Sequence, residues 1–230
     1  MKTLAIICAR KGSQRLKDKH WLKIAGKPVW RYVVDSAVES RADVILLSTD
    51  DKKMRDESIF LGSIGGWVNR PREMASKTAS IHRALQQAVE VFGHTDMNFI
   101  ACLPANVPTV TPEVINRCIR ALARDRRATA VMTMKKVDEL PEWMWTRGKD
   151  GHLTRCQDIK KYRVQDFPER WIATGSCAVV RREVLMGCDS DDAFAWLGGH
   201  VIGVPDEPNA VEIHDIHDYK LAKALLEAKK

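Results

Sequence analysis

The chain has 230 residues, of which 45% are hydrophobic and 29% charged, a composition typical of a soluble globular protein with one sizeable α/β domain. The net charge of +7 suits an anionic partner, but the Lys and Arg residues form no long block, which argues against nucleic acid. No apolar run approaches the roughly 18 residues of a membrane span, and no signal peptide is recognisable. We therefore expect no membrane contact and a cytoplasmic location.

Strand-like apolar runs alternate with helical patterns along most of the chain. In chain order, the predicted elements are a strand at 4–8, a helix at 29–39, a strand at 43–48, a helix at 51–61, a short strand at 66–68, a helix at 78–92, a strand at 98–103, a helix at 111–123, strands at 130–134, 172–180 and 201–204, and a helix at 218–228. This alternation predicts a single α/β domain whose mostly parallel sheet is flanked by helices.

One segment, at about 136–170, departs from this alternation. It is polar and places Trp143 and Trp145 among charged residues. It is either a small irregular insertion, an inserted hairpin or a subunit contact, and we expect a homodimer. The six cysteines form no CxxC pair and no zinc-ligand spacing, so we expect free thiols in a reducing compartment.

Ligands of such sheets bind beyond the carboxyl ends of the strands. The first predicted strand ends in a turn that contains Gly12 and Ser13, whose backbone N–H groups can point at phosphate oxygens. Cations surround this turn: Arg10, Lys11, Arg15, Lys17 and Lys19. The spacing matches neither a Walker P-loop nor GxGxxG. The turn is therefore a candidate polyphosphate site, although a basic solvated loop has the same composition.

Further polar residues follow the later strands and are candidates for the same edge. They are Thr49–Asp51, Arg70, Ala105–Asn106, Thr174–Gly175 and Glu212–Asp215.

Six segments, in order, resemble the motifs of the acylneuraminate cytidylyltransferases and of their relatives that activate 3-deoxy-manno-octulosonate. The segments are ARKGSQRLKDKH (9–20), GKPVWRYVVDSA (26–37), LLSTDD (46–51), RPREMASKTAS (70–80), VQDFPERWIATGS (164–176) and VEIHDIHDYKLAKALL (211–226). The resemblance implies a Rossmann-like nucleotidyltransferase fold. It also implies transfer of CMP from CTP to an acidic 2-keto sugar, with release of pyrophosphate.

The resemblance also assigns residues. Arg10 and Lys19 would be catalytic, because they would hold the triphosphate and stabilise the leaving pyrophosphate. The residues implied to bind the nucleotide are Ala9, Arg10, Gly12, Ser13, Arg15, Lys19, His20, Arg70, Ser80 and Asn106. Our candidates for the anionic acceptor are Arg163, Gln165 and Asp166.

The implied metal is Mg²⁺, and here the chain departs from the family pattern. The two acidic positions of the family fall on Glu212 and His214, and imidazole suits softer metals than magnesium. Either Glu212 suffices with water and phosphate oxygens, or Asp215 supplies a second carboxylate, or the preference has moved toward Mn²⁺. Asp215 is equally favourable as a helix N-cap.

Other departures concern the base and the acceptor. His20 replaces the usual Asn, so its titration near pH 6.5 would make activity pH-sensitive. In LPANVPTV (103–110), Pro104 and Val110 stand where sialic acid enzymes have Gln and Arg, and Asn106 stands where octulosonate enzymes have a metal-binding Asp. The acceptor could therefore be an unusual nonulosonate or a phosphonate. A catalytically altered nucleotide-binding paralogue is the alternative.

Overall fold

The computed structural model describes residues 1–13, 15–75, 79–93, 95–137, 139–158, 160, 163–190 and 192–228. The strands in these ranges are β1 (Thr3–Ala9), β2 (Lys23–Ile24), β3 (Lys27–Pro28), β4 (Val44–Thr49), β5 (Gly66–Asn69), β6 (Phe99–Pro104), β7 (Ala130–Lys136), β8 (Trp145–Arg147), β9 (Leu153–Arg155), β10 (Trp171–Arg181) and β11 (Val201–Pro205). The helices are α1 (Val29–Val38), α2 (Lys52–Phe60), α3 (Ile81–Phe92), α4 (Pro112–Arg124), α5 (Arg182–Met186) and α6 (Ile216–Glu227).

A central sheet of seven described strands has the order β11-β7-β10-β6-β1-β4-β5. All neighbours in it are parallel except β10, which runs antiparallel to both β6 and β7. The prediction of a mostly parallel α/β sheet flanked by helices is therefore confirmed. Because β1, β4, β5 and β6 are parallel, their carboxyl ends lie at one edge of the sheet.

Local sequence explains where the helices begin. Asp51 caps α2, with its carboxylate accepting the backbone N–H groups of Lys53 and Met54. Thr111 caps α4 through the backbone N–H of Val114, and Pro112 occupies the first helical position, where its missing N–H costs nothing.

The two faces of the sheet are covered by different helices. One core contains residues of α1, α2 and α4, including the fully buried Trp30. The opposite core contains residues of α3 and α5 and the side chains of Cys8 and Cys102. A smaller apolar cluster joins α6 to the β2–β3 hairpin.

Three features differ from the sequence prediction. The hairpin β2–β3 and the helix α5 were not predicted, and the helix predicted at 78–92 begins at Ile81, with Thr78 outside the described residues. The segment at 136–170 contains the hairpin β8–β9, which forms its own small sheet. In the described part of the chain, no helix has both the length and the apolarity needed to cross a bilayer.

Candidate nucleotide-binding site

A cavity of about 280 Å³, the candidate nucleotide cavity, lies at the carboxyl edge of the sheet, over the ends of β1 and β6. Most of the predicted nucleotide residues line it, together with one predicted metal ligand: Arg10, Ser13, Lys19, His20, Arg70, Ser80, Asn106 and Glu212. Sequence reasoning missed its apolar lining, which consists of Cys8, Met74, Ala79, Ile81 and Pro104. Apart from Pro104, which was noted as a departure from the family pattern, these residues carry no chemical signal in the sequence.

The cationic turn after β1 contains a glycine in the left-handed conformation. Gly12 has a φ of 79°, a conformation that costs glycine little, and the backbone N–H of Lys11 donates to Asp50 Oδ1 at 2.6 Å. Ala9 is fully buried as the last residue of β1 and does not line the cavity. Arg15 is exposed and does not line the cavity.

Lys19, in the segment after β1, contacts the segment that precedes α6. Its ammonium donates to the backbone carbonyl of Ile213 at 3.1 Å. Burial lowers the pKa of Lys19, while the negative charge of Glu212 opposes that shift. A partly desolvated cation next to the cavity is well suited to bind a phosphate oxygen, because its charge is less screened than at the surface.

His20 does not titrate as its sequence suggested. The residue is only 8% exposed, and burial together with the positive charge of Lys19 lowers its pKa to about 3. The imidazole is therefore neutral throughout the physiological range. The expectation that His20 makes activity sensitive to pH near 6.5 is wrong, for this physical reason.

The same shift predicts a loss of stability in acid. Below about pH 6.5 the unfolded chain protonates His20 while the folded chain does not, so unfolding takes up a proton and stability falls as the pH is lowered toward 3. Between pH 7 and pH 5 this contributes a loss of about 2 kcal/mol to the unfolding free energy. Urea unfolding at the two pH values measures it.

Substitution of His20 by Asn should remove most of that acid sensitivity. The matched control is His217→Asn, at an exposed position, which should keep it. Equal pH dependence in His20→Asn and the wild type would refute the assignment.

Arg70, directly after β5, and Ser80, directly before α3, line the cavity. The Arg70 guanidinium is buried, and its Nε and Nη2 atoms donate to Ser48 Oγ at 3.3 and 3.2 Å. The Ser80 hydroxyl is 2.5 Å from His82 Nδ1. Both side chains are thus held in fixed positions, which suits recognition of a base or ribose by hydrogen bonds.

The fold brings Glu212, a predicted metal ligand, into contact with Asn106, which stands where octulosonate enzymes have a metal-binding Asp. Asn106 Nδ2 donates to Glu212 Oε1 at 3.2 Å and to the carbonyl of Ile213 at 2.9 Å. On its other side, Glu212 Oε2 lies 3.4 Å from His214 Nε2. Glu212 is therefore the one carboxylate among the predicted metal ligands that lines the cavity.

Asp215 is used differently. Its carboxylate accepts the backbone N–H groups of His217 and Asp218 and so caps α6, and these hydrogen bonds lower its pKa. It lines none of the cavities near the site, and the described residues contain no group of three His, Cys, Asp or Glu side chains arranged to hold a metal. The structure thus gives Asp215 a capping role, and its role as a metal ligand stays a prediction.

Gly175 makes room for the Glu212 carboxylate. It has a φ of 74°, and a Cβ atom built on it would overlap Glu212 Oε2. Gly175→Ala should therefore push the carboxylate out of place and add backbone strain of roughly 1–2 kcal/mol. We expect catalytic activity to fall at least about tenfold, with the fold retained by circular dichroism. An active Gly175→Ala variant would refute this role.

The predicted acceptor residues lie elsewhere. Arg163, Gln165 and Asp166 are exposed on a 3-10 turn and do not line the cavity. Val110 is buried in the core, so its replacement of an arginine cannot act by ligand contact. Pro104, by contrast, lines the nucleotide cavity.

Two further cavities adjoin the nucleotide cavity. An apolar cavity of about 270 Å³ shares Ile81 and Pro104 with it and has a floor of the paired residues Cys102, Ala178 and Met132. A polar cavity of about 300 Å³ shares Glu212 with it. The polar cavity is also lined by Lys135, His214 and Asp218. Sequence analysis named Gly175 and Thr174 as candidates for this edge but did not predict either cavity.

A Rossmann-like sheet with cationic and hydrogen-bonding side chains at its carboxyl edge defines a nucleotide-binding α/β protein. The family model described as cytidylyltransferase matches residues 4–147, more than half of the chain. The chain belongs to the cytidylyltransferase family, a family of nucleotidyltransferases, as the six segments predicted.

Individual relatives have a low sequence identity to this chain. The CMP-N,N'-diacetyllegionaminic acid synthase of Legionella pneumophila is 26% identical over 168 residues, which cover 70% of this chain and 71% of that protein. The 3-deoxy-manno-octulosonate cytidylyltransferase of Coxiella burnetii is 29% identical over 147 residues, covering 61% of this chain and 55% of that protein. The chain thus spans little more than half of the octulosonate enzyme.

A solved structure shows the same fold over the whole chain. It is CMP:2-keto-3-deoxy-manno-octonic acid synthetase complexed with CTP, with a TM-score of 0.74, 18% identity and full coverage of both chains. The predicted nucleotidyltransferase fold is confirmed.

Proposed function

We propose that this protein transfers CMP from CTP to an acidic 2-keto sugar. The anomeric hydroxyl oxygen of the acceptor attacks the α-phosphorus, the bond from that phosphorus to the bridging β-phosphate oxygen breaks, and pyrophosphate and a proton are released. The observation that carries the proposal is the convergence of Arg10, Ser13 and Lys19 with Arg70 and Asn106 around one cavity. Family membership supports it.

In this proposal, different residues of the cavity bind different parts of CTP. The turn at Gly12 and Ser13, with Arg10 and Lys19, binds the triphosphate and stabilises the charge that grows on pyrophosphate. Arg70 and Ser80 orient the cytidine. Catalysis then depends on positioning and charge neutralisation, without a covalent intermediate on the protein.

The residues present can hold a magnesium ion that enters the site bound to the nucleotide phosphates. Mg²⁺ commonly uses one or two carboxylates together with substrate phosphates, and Glu212 supplies one carboxylate while Asn106 has an amide oxygen. Glu212 and Asn106 would hold the ion, which would neutralise phosphate charge. Because His214 lies beside Glu212, Mn²⁺ is the second metal to test.

The acceptor is proposed to lie across the apolar and polar cavities. Both adjoin the nucleotide cavity, and Lys135 in the polar cavity offers a positive charge for an acceptor carboxylate. Arg163, Gln165 and Asp166 stay candidates only if the acceptor extends to the exposed turn.

The test is pyrophosphate release from each of the four ribonucleoside triphosphates, crossed with octulosonate, N-acetylneuraminate, N,N'-diacetyllegionaminate and a phosphonate. We expect turnover with CTP and at least one acidic sugar. Turnover with the phosphonate alone would show that the acceptor is not a sugar.

A nucleotide-binding paralogue with altered catalysis is the second candidate. It is favoured by Asn106, which brings no charge where the octulosonate enzymes have a metal-binding Asp. CTP binding without turnover under both Mg²⁺ and Mn²⁺ would establish it.

We also propose that the protein is a cytoplasmic homodimer whose interface includes the β8–β9 hairpin. Trp145 and Leu153 on this hairpin are 50% and 59% exposed, and Trp143 beside it is 38% exposed. Double truncation of Trp143 and Trp145 to Ala should shift the sedimentation coefficient toward the monomer. Phe60→Ala, at an exposed aromatic residue on α2, is the control. An unaltered sedimentation profile for the double variant would count against this interface.

A further inference from the structure

Cys8 is in an unusual position for a buried cysteine. It is 7% exposed and belongs to the apolar core, yet it also lines the nucleotide cavity. The cavity therefore gives small molecules a route to its sulfur. No role for this thiol follows from nucleotide transfer.

A buried cation lies next to Cys8. In the sheet, Cys8 pairs directly with Ser48, and the Arg70 guanidinium donates to Ser48 Oγ. Arg70 is 5% exposed and lines the same cavity. Its positive charge favours the thiolate over the thiol, and the thiolate is the reactive form of cysteine.

A second thiol completes the arrangement. Cys102 lies on the adjacent strand β6, where it pairs with Ile6, two residues before Cys8. The neighbouring Cys102 thiol and the positive charge of Arg70 lower the pKa of Cys8, against the effect of burial.

We propose that Cys8 is a modification site, at which small electrophiles and peroxides entering through the nucleotide cavity react with its sulfur. With a peroxide, the thiolate attacks one oxygen, the O–O bond breaks, and the product is a sulfenic acid with hydroxide or water as leaving group. Sulfur is oxidised by two electrons and the peroxide is reduced. The added atoms occupy part of the cavity of about 280 Å³, so the modified protein binds nucleotide weakly.

The first experiment uses iodoacetamide on the full chain, with peptide mapping by mass spectrometry over time. Cys118 is the matched buried control, because it is fully buried and lines none of the cavities at the site. Cys8 should be alkylated at least about tenfold faster than Cys118 at pH 7. Equal rates would overturn the proposal, without any bearing on nucleotide transfer.

Variants test the neighbours. Arg70→Met and Cys102→Ala should each shift the pH of half-maximal Cys8 alkylation upward by about one unit, with a similar limiting rate at pH 10. A merely structural effect would change the limiting rate and leave the midpoint in place. An unchanged midpoint in both variants would overturn the assigned role of the two groups.

The second experiment links the site to the nucleotide. Saturating CTP, with binding verified by calorimetry, should slow Cys8 alkylation at least about tenfold by occupying the cavity. Hydrogen peroxide should give a dimedone-trapped adduct at Cys8 and lower CTP affinity, while Cys8→Ser keeps its own untreated affinity. CTP that binds without protecting Cys8, or an affinity loss that persists in Cys8→Ser, would overturn the proposal.

Discussion

Lys19→Ala is expected to lower kcat/KM for CTP at least about 100-fold while leaving the fold intact. Removing one preorganised donor from a developing negative charge typically costs a factor of 10²–10³ in rate. Lys19 is such a donor because its ammonium is partly buried beside the cavity, where its charge is poorly screened. Within the described residues its ammonium donates a hydrogen bond to the carbonyl of Ile213, so we expect the loss in unfolding free energy to be about 1 kcal/mol.

The control for Lys19→Ala is Lys17→Ala. Lys17 lies in the same basic turn, is exposed and does not line the cavity, so this variant should retain activity within about twofold. Steady-state pyrophosphate release measures both variants. Wild-type activity in Lys19→Ala, or equal losses in the two variants, would remove the specific phosphate role.

Glu212→Gln is expected to raise the Mg²⁺ concentration needed for half-maximal activity by at least about tenfold. The substitution keeps the size of the side chain and an oxygen that can accept from Asn106 Nδ2, so the local structure should persist. It removes the charge that attracts the cation. Loss of that charge also removes the interaction that opposes the lowering of the Lys19 pKa by burial.

Substitution of His214 distinguishes the role of the proposed ligand Glu212 from that of its neighbour. His214→Asn alters a half-exposed residue 3.4 Å from Glu212 and should leave the Mg²⁺ titration nearly unchanged. If His214 ligates Mn²⁺, the same variant should weaken the Mn²⁺ response alone. An unchanged Mg²⁺ titration in Glu212→Gln would contradict its ligand role.

The sequence predicted the edge of the sheet where the candidate site lies, because residues that follow parallel strands must gather there. Lys19 and Ile213 are 194 positions apart, yet both follow from that rule and from the ordered motifs. The reversed strand β10 could not be predicted, since a buried antiparallel strand has the same apolar pattern as a parallel one.

Properties that depend on burial were the ones that sequence reasoning missed. The low pKa of His20 comes from packing around it, and the low pKa of Cys8 comes from partners on other strands. Asp215 was ambiguous for a different reason, because a carboxylate before a helix suits both a cap and a metal ligand. The apolar cavity is built from Cys102, Ala178 and Met132, which are ordinary core residues in sequence.

A crystal structure of the protein with CTP would test the central claim most directly. We expect the triphosphate to lie against the backbone of Gly12 and Ser13, within reach of Arg10 and Lys19, with the base toward Arg70 and Ser80. A nucleotide bound elsewhere, or an empty turn at saturating CTP, would contradict the account.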